Sequence, residues 1–322
     1  MDAPALPLIY DEPFEDRWVR GDRHPRHLAR WLLRRNRPSG YRHLARQLRT
    51  GLERAGLPFR FNAFSYCDRH PDVTAGVLGN NALLERWQPR GPAVYGPCML
   101  DHPLDRIDLF DRFNARLYLV PSEWVRRMFE PYFGERVQTW PIGIDLEAWG
   151  DFAGEAKSLD FLVYEKFIWE KDARRATLLA PLLEELRARG FSFHVLHSGR
   201  YTLAEYRELL RRARRMVFLC EHETQGQACQ QALACNVPVF AWDQGWWLDP
   251  KATRYVGRPV PASSVPYFSN ACGMRFRDLQ EFVAGLPAFW EGRFEPRPFV
   301  GEHLELVDSA RRYVEIVRGA GA

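Results

Sequence analysis

The pattern of hydrophobic and polar positions is clearest between Val217 and Trp242. Two continuous apolar runs of strand length, Val217 to Cys220 and Val237 to Trp242, flank a short polar loop and a segment of good helix formers. This pattern predicts a strand, a loop, a helix and a second strand, with Gly226 where the loop turns into the helix. Because the first N–H groups of a helix have no partner inside it, an anion would be favoured at the mouth of this loop.

The predicted helix has two different faces. Spacings of three and four residues place the glutamines on one face: Gln227, Gln230 and Gln231. The small and apolar residues share the other face: Ala228, Cys229, Ala232 and Leu233. The small face can pack closely on a sheet, so the amide face is left for a ligand.

Apolar runs and helical periodicity also alternate in the rest of the chain. A strand is predicted within residues 4–16, an amphipathic helix from Pro38 to about Gly56, and a final helix from Glu302 to Arg318. Strands separated by helices follow one another in the second half. They predict a parallel sheet wound by right-handed crossovers.

Composition limits the class of protein. A chain of 322 residues with 46% hydrophobic residues should form about two globular domains. No apolar run approaches the length of about 20 residues that a membrane helix needs, and the N-terminus lacks a basic segment followed by an apolar one. We therefore expect a cytoplasmic protein. The six cysteines are scattered, so we expect free thiols and no zinc site.

The positive charge is concentrated near the N-terminus. Residues 17–54 contain twelve arginines and two acids, Asp22 and Glu53. One interpretation is a peripheral contact with anionic lipid headgroups, and the other is a solvated helix face. Nucleic acid is disfavoured as a partner because no recognised binding motif accompanies the charge.

Lysine is rare in this chain, and its positions are informative. There are four lysines among 45 basic residues, and Lys166 and Lys171 lie in one predicted loop between a strand end and a helix start. Cations are disfavoured at a helix start unless something negative is bound there. The pair therefore indicates a bound anion.

The succession of Glu223, Gly226 and Gln231, followed by ALACNVPV, resembles the signature of the GT-B glycosyltransferases, specifically the large retaining family four. The family has a second Glu where this chain has Gln231 and a Gly where it has Asn236. The turn from Pro141 to Asp145, with the strand and helix before it, is similar to the end of that family's N-terminal domain.

The resemblance implies an α/β fold class with two Rossmann-like domains facing a central cleft. It implies an N-terminal acceptor-side domain over residues 1–150 and a C-terminal domain that binds a nucleotide sugar over residues 151–300. Residues 301–322 would form a helix that packs back on the first domain.

The resemblance also implies roles for individual residues. Lys166 and Lys171 would grip the donor diphosphate, aided by backbone N–H groups near Gln227 and Ala228 and by Gly226 at the loop mouth. Glu223 would orient the transferred sugar, and Gln231 would hold the ribose. No metal or other cofactor is expected, since nothing matches the Asp-x-Asp motif of the other major glycosyltransferase fold.

Two further positions carry open alternatives. Gly40 is either the glycine that approaches the donor diphosphate in that family or a plain turn glycine. His102 follows a predicted strand and is either a residue close to the acceptor or a hydrogen-bonded structural residue.

The function implied is retaining sugar transfer to a glycan, lipid-linked or small-molecule acceptor, as in the synthesis of surface polysaccharides. A nucleotide-sugar epimerase and a degenerate, non-catalytic GT-B module are the alternatives.

Overall fold

The computed structural model describes residues 5–12, 40–257 and 259–321. By its internal packing the chain divides into two compact units, the first comprising Met1–Gly143 with Leu306–Ala322 and the second Ile144–Glu305. The division therefore falls a few residues before Gly150, where the sequence suggested a boundary.

The first unit is built on a parallel sheet of six strands in the order β2-β1-β3-β4-β5-β6. The strands are Leu6–Asp11 (β1), Phe59–Phe61 (β2), Ala75–Gly79 (β3), Ala93–Tyr95 (β4), Ala115–Val120 (β5) and Val137–Thr139 (β6). Its helices before the chain leaves this unit are Gly40–Arg54 (α1), Phe64–Arg69 (α2), Leu109–Arg112 (α3) and Glu123–Phe133 (α4). Short 3₁₀ turns cover Asn81–Glu85, Pro103–Arg106 and Gly134–Arg136.

The second unit has a parallel sheet of five strands in the order β11-β10-β9-β7-β8. The strands are Leu159–Lys166 (β7), Phe193–His197 (β8), Ala213–Cys220 (β9), Val239–Trp242 (β10) and Gly273–Phe276 (β11). The helices are Lys171–Arg174 (α5), Ala180–Ala188 (α6), Leu203–Arg212 (α7), Gln227–Ala234 (α8), Lys251–Val256 (α9), Leu279–Glu291 (α10) and Pro296–Leu304 (α11). A π-helical turn at Arg175–Leu179 connects α5 to α6. The predicted α/β class with parallel sheets is confirmed.

Both faces of the second sheet are buried. Alternate residues of β7 and β9 enter two separate apolar clusters, with Leu162, Tyr164, Met216 and Phe218 in one and Phe161, Val163, Val217 and Leu219 in the other. Helices cover a parallel sheet on both faces, which explains why its strands are continuous apolar runs. Only the strand ends and the loops after them are left for polar chemistry.

The last helix, Leu306–Gly319 (α12), belongs to the first unit. The close approach of α12 to α1 needs a small residue, since a Cβ added at Gly51 would lie 2.8 Å from Cβ of Ala310. Trp140 anchors the helix further, because its indole N–H donates to the Ser309 carbonyl at 2.9 Å. The prediction of one helix from Glu302 to Arg318 was wrong: at Glu305 the backbone is extended and pairs with Ile144, so α11 and α12 are separate.

The arginine-rich block is described only in part, because residues 13–39 lie outside the described residues. Its described end forms α1, in which Arg42, Arg46 and Arg49 are exposed.

Within 5–12, 40–257 and 259–321, no helix combines the length and apolar character required to cross a bilayer.

Gly273 is required by the backbone at the start of β11. Its φ is +137°, and a Cβ added there would lie 2.0 Å from the Val239 carbonyl oxygen on β10. We expect Gly273→Ala to reduce the free energy of unfolding by about 2 to 3 kcal/mol, measured from the midpoint of urea unfolding. Gly154→Ala is the control, because a Cβ there meets nothing within 4 Å. Equal midpoints for the two variants would contradict this account of the β10–β11 contact.

Candidate functional site

The two loops that the sequence singled out in the second unit lie next to each other. Strands β7 and β9 pair in parallel, with Lys166 opposite Cys220 at their carboxyl ends. The loop after β7 leads to Lys171, and the loop after β9 carries Glu223 and leads to Gly226. In open α/β sheets, ligands collect at this edge.

Lys166 and Glu223 form an ion pair, with 2.5 Å between the Lys166 Nζ and the Glu223 Oε1. Both side chains are largely buried, with exposed fractions of 29% for Lys166 and 14% for Glu223. Burial acts to lower the pKa of Lys166, but the charge of Glu223 and the hydrogen bond to it raise that pKa above its ordinary value. The ammonium is therefore charged at neutral pH. The structure brings together two residues for which the sequence implied separate roles.

Lys171 lies at the surface as the first residue of α5. Glu170, just before it, has a left-handed backbone with φ 47° and ψ 38°. Within the described part of the chain, the Lys171 ammonium makes no ion pair. It is thus available to a ligand, while Lys166 is already paired with Glu223.

A carboxylate that sequence reasoning missed lies beneath the loop between the two lysines. Glu221 is fully buried, and its Oε1 accepts hydrogen bonds from the backbone N–H groups of Ile168 at 2.9 Å and Trp169 at 3.2 Å. The Arg174 Nε is 3.6 Å from the same oxygen. The only signal in the sequence was an acid directly after an apolar strand, where an ordinary solvated residue is equally common.

Helix α8 begins where the sequence predicted. Gly226 is its N-cap with φ 83°, a conformation that glycine adopts readily. Gln227 and Ala228 are half-buried in the first turn, and Gln231 is buried with an exposed fraction of 4%.

The predicted amide face of α8 is only partly available to a ligand. Gln230 is occupied, since its side-chain amide donates to the Gln225 carbonyl at 2.8 Å and accepts from the Gln225 amide at 3.0 Å. For Gln231, by contrast, the described residues provide no side-chain hydrogen bond.

Aromatic rings enclose His222, which precedes Glu223. The imidazole stacks on Trp169 with 5.1 Å between ring centroids and meets the edge of Trp247 at 6.4 Å. Burial lowers the pKa of His222 from 6.5 to about 4, although Glu223 opposes this shift. The imidazole is therefore neutral at pH 7.

This depressed pKa predicts a pH dependence of stability. An unfolded chain binds the His222 proton near pH 6.5, whereas the folded protein binds it only near pH 4. The free energy of unfolding should therefore fall as the pH is lowered from 6.5 to 4, with no contribution from this group above that window. Urea unfolding between pH 4 and 7 should give a shallower dependence for His222→Gln than for the wild type. Identical dependences would mean that His222 does not titrate in this way.

His102 and Gly40, both in the first unit, have plain structural positions. His102 is buried and caps the 3₁₀ turn. Its imidazole Nδ1 accepts a hydrogen bond from the Leu104 backbone N–H at 3.2 Å, and the His102 backbone N–H donates to the Asp105 carboxylate at 3.0 Å. Burial lowers the pKa of His102, and Asp105 partly opposes the shift. Gly40 is the exposed first residue of α1, and a Cβ there would meet nothing within 4 Å. Their roles in ligand binding stay predictions.

The cysteines and the other possible metal ligands are dispersed. All six cysteines carry free thiols, of which Cys98 is partly exposed and the others are buried. Among residues 5–12, 40–257 and 259–321, no group of three or more His, Cys, Asp or Glu side chains is arranged to hold a metal ion.

The fold can be compared with solved structures. No protein-family model and no curated protein sequence matches this chain. AviGT4, a glycosyltransferase involved in avilamycin A biosynthesis, is 13% identical with a TM-score of 0.58, and 98% of this chain and 97% of that chain are covered. The lipopolysaccharide outer core galactosyltransferase WaaB is 8% identical with a TM-score of 0.59 and coverages of 98% and 99%. HepE from Anabaena, solved in complex with UDP and glucose, is 12% identical with a TM-score of 0.54 and coverages of 98% and 100%. This chain has the GT-B fold that these proteins share, with its two parallel-sheet α/β units.

Proposed function

We propose that this chain is a retaining, metal-independent glycosyltransferase that uses a nucleoside diphosphate sugar as donor. The observation that carries the proposal is the Lys166–Glu223 ion pair, which lies at the carboxyl edge of the second sheet beside the loop that leads into α8. Two of the structural neighbours named above are described as glycosyltransferases, and HepE was solved with UDP and glucose. A cation, a carboxylate and a helix N-terminus are the groups needed to bind a diphosphate joined to a sugar.

In this proposal the donor lies between the two loops. The ammonium groups of Lys166 and Lys171 hold the diphosphate, and the backbone N–H groups of Gln227 and Ala228 add to their positive potential. The buried amide of Gln231 accepts a hydrogen bond from a ribose hydroxyl or donates one to it. A neutral amide can make that bond as a carboxylate does, with about 0.5 to 1.5 kcal/mol of net stabilisation.

The chemistry follows from these contacts. When the bond between the anomeric carbon and the phosphate oxygen breaks, negative charge grows on the leaving diphosphate, and the two ammonium groups stabilise it. Glu223 orients hydroxyl groups of the transferred sugar. The acceptor oxygen forms the new bond to the anomeric carbon and gives its proton to the leaving phosphate. The new bond forms on the same face of the sugar, so the anomeric configuration is retained.

The acceptor and the location in the cell are parts of the same proposal. A carbohydrate, a lipid-linked glycan or a small molecule would be the acceptor, as in the synthesis of surface polysaccharides or glycoconjugates in the cytoplasm. Exposed Arg42, Arg46 and Arg49 on α1 would favour a peripheral contact with an anionic membrane surface.

One observation favours a second candidate, a non-catalytic GT-B module that binds nucleotides or glycans. Gln231 replaces an acid of the resembled family and is buried at 4% exposure, so this position has no charge to offer a ligand. Such a module would bind nucleotides without turnover.

The deciding experiment is a thermal-shift screen of UDP, GDP, ADP, CMP and TDP with their sugars, followed by turnover of the best donor. We expect one nucleoside diphosphate to stabilise the protein and its sugar to be transferred in the presence of EDTA. An epimerised donor without any acceptor would identify an epimerase, and binding without turnover would identify the non-catalytic module. Stabilisation by none of the nucleotides would refute the proposed function.

A further inference from the structure

We propose that Glu221 is a positioning residue for diphosphate binding: it fixes the loop of residues 167–170, and through that loop it sets the spacing of the two lysine ammonium groups. This inference rests on the proposed function, because it concerns how the same site binds its donor. Within the described residues Glu221 makes no hydrogen bond or ion pair with either lysine, so it would act through the backbone between them.

The hydrogen bonds of the Glu221 carboxylate are to the loop. Its Oε1 accepts from the N–H groups of Ile168 and Trp169 at 2.9 and 3.2 Å, and its Oε2 lies 3.2 Å from the Ile168 nitrogen. The carboxylate has no exposed surface. Hydrogen bonds to an ionised acceptor are roughly twice as strong as neutral ones, and a buried carboxylate is costly unless it is paired in this way.

Arg174 also contacts both Glu221 and the loop. Its Nε lies 3.6 Å from the Glu221 carboxylate and donates to the Trp169 carbonyl at 3.3 Å, while a second nitrogen donates to the Glu170 carboxylate at 3.1 Å. The guanidinium also lies over the Trp242 ring, 5.3 Å from its centroid. The loop is therefore held through its N–H groups by an anion and through a carbonyl by a cation.

The backbone of the loop needs this support. Glu170 is in the left-handed region, which a residue with a Cβ occupies at a cost unless its surroundings fix it there. Glu170 directly precedes Lys171, so the direction in which the Lys171 side chain leaves the loop depends on this one conformation. The Glu221 backbone is itself fixed, since its carbonyl accepts from the Gln244 amide at 2.9 Å.

The hydrogen bonds also decide which groups remain for a phosphate. Because Glu221 occupies the N–H groups of Ile168 and Trp169, these donors are not available to an anion, unlike the backbone donors of a glycine-rich phosphate loop. At its two ends the loop offers a diphosphate the ammonium groups of Lys166 and Lys171. Their spacing is therefore the property that Glu221 controls.

The test compares UDP with UMP in isothermal titration calorimetry, or the di- and monophosphate of another base if the nucleotide screen selects one. A loop that positions two cations should affect the diphosphate preference, not the nucleoside contacts. In Glu221→Gln the amide N–H₂ would face backbone donors and the charge near Arg174 would be lost. We expect the ratio of the UMP to the UDP dissociation constant to fall about tenfold, and amide exchange in residues 167–171 to accelerate.

Glu165→Gln is the matched control. Glu165 is also a buried carboxylate, with 2% exposure, and directly precedes Lys166, but it pairs with Arg175 and His197 instead of the loop. Its substitution should leave the diphosphate preference unchanged. If Glu221→Gln does not fold, Arg174→Gln carries the test, with a fall in the same ratio.

The outcomes separate this inference from the proposed function. A wild-type protein that binds the diphosphate no better than the monophosphate would overturn both. A wild-type preference that survives in folded Glu221→Gln and in Arg174→Gln would overturn the positioning role alone. A loss of preference in Glu165→Gln equal to that in Glu221→Gln would also overturn it, because the effect would then be a general consequence of removing a buried carboxylate.

Discussion

Replacing Lys166 with alanine is expected to slow sugar transfer about 100- to 1,000-fold, the range found when one preorganised donor to a developing negative charge is removed. Its ammonium lies at the carboxyl end of β7 and is charged because Glu223 raises its pKa. In the proposed reaction it faces a diphosphate that becomes more negative as the glycosidic bond breaks. The variant therefore loses an interaction that is strongest in the transition state, and the loss should appear mainly in kcat. The measurement is turnover of the donor that the nucleotide screen selects.

Two further lysine variants make this prediction specific. Lys166→Arg keeps the charge, and we expect it to retain transfer to within about tenfold, since guanidinium binds phosphate well. Lys157→Ala removes a lysine whose ammonium donates to the Arg211 carbonyl at 2.9 Å, and transfer should be unchanged. A Lys166→Ala protein with an unaltered melting temperature and wild-type turnover would show that this ammonium does not stabilise the leaving group.

The sequence predicted the elements of the fold because its hydrophobic pattern is regular where the structure is regular. The apolar run from Val217 to Cys220 is the end of β9, buried on both faces, and the small residues of α8 pack against the sheet as their spacing indicated. Gly226 marked the start of α8 because few other residues adopt its positive φ. These signals are local, so a single sequence contains them.

The parts that the sequence did not predict depend on contacts between distant residues. The ion pair of Lys166 and Glu223 joins residues that are 57 positions apart, and nothing in either local pattern indicates their distance. Glu221 was indistinguishable from a surface acid until its hydrogen bonds to the loop after β7 were known. The break between α11 and α12 was missed because the extended backbone at Glu305 results from its pairing with Ile144.

Glu223→Gln is expected to change nucleotide binding and sugar transfer in opposite directions. The Glu223 carboxylate is the counterion of Lys166, with 2.5 Å between their charged atoms. A diphosphate must compete with this carboxylate for the same ammonium. Glutamine is nearly the same size but neutral, so it removes the competing charge and leaves Lys166 for the phosphate. We expect UDP, or the diphosphate that the screen selects, to bind about threefold to tenfold more tightly, because even a partly screened pair of charges contributes about 1 kcal/mol.

The same variant should lose about 100-fold in transfer, because the carboxylate that orients the sugar hydroxyls is gone and hydrogen bonds to a charged acceptor contribute about 1.5 to 3 kcal/mol. Glu223→Asp keeps the charge but shortens the side chain, so it should weaken transfer without tightening nucleotide binding. Calorimetry with the nucleoside diphosphate and turnover of its sugar measure the two effects separately. General damage to the site would weaken both nucleotide binding and sugar transfer. Release of Lys166 from its ion pair would instead strengthen nucleotide binding while sugar transfer stays impaired. Weaker binding of the diphosphate to Glu223→Gln than to the wild type would mean that Lys166 is not the group that receives the phosphate.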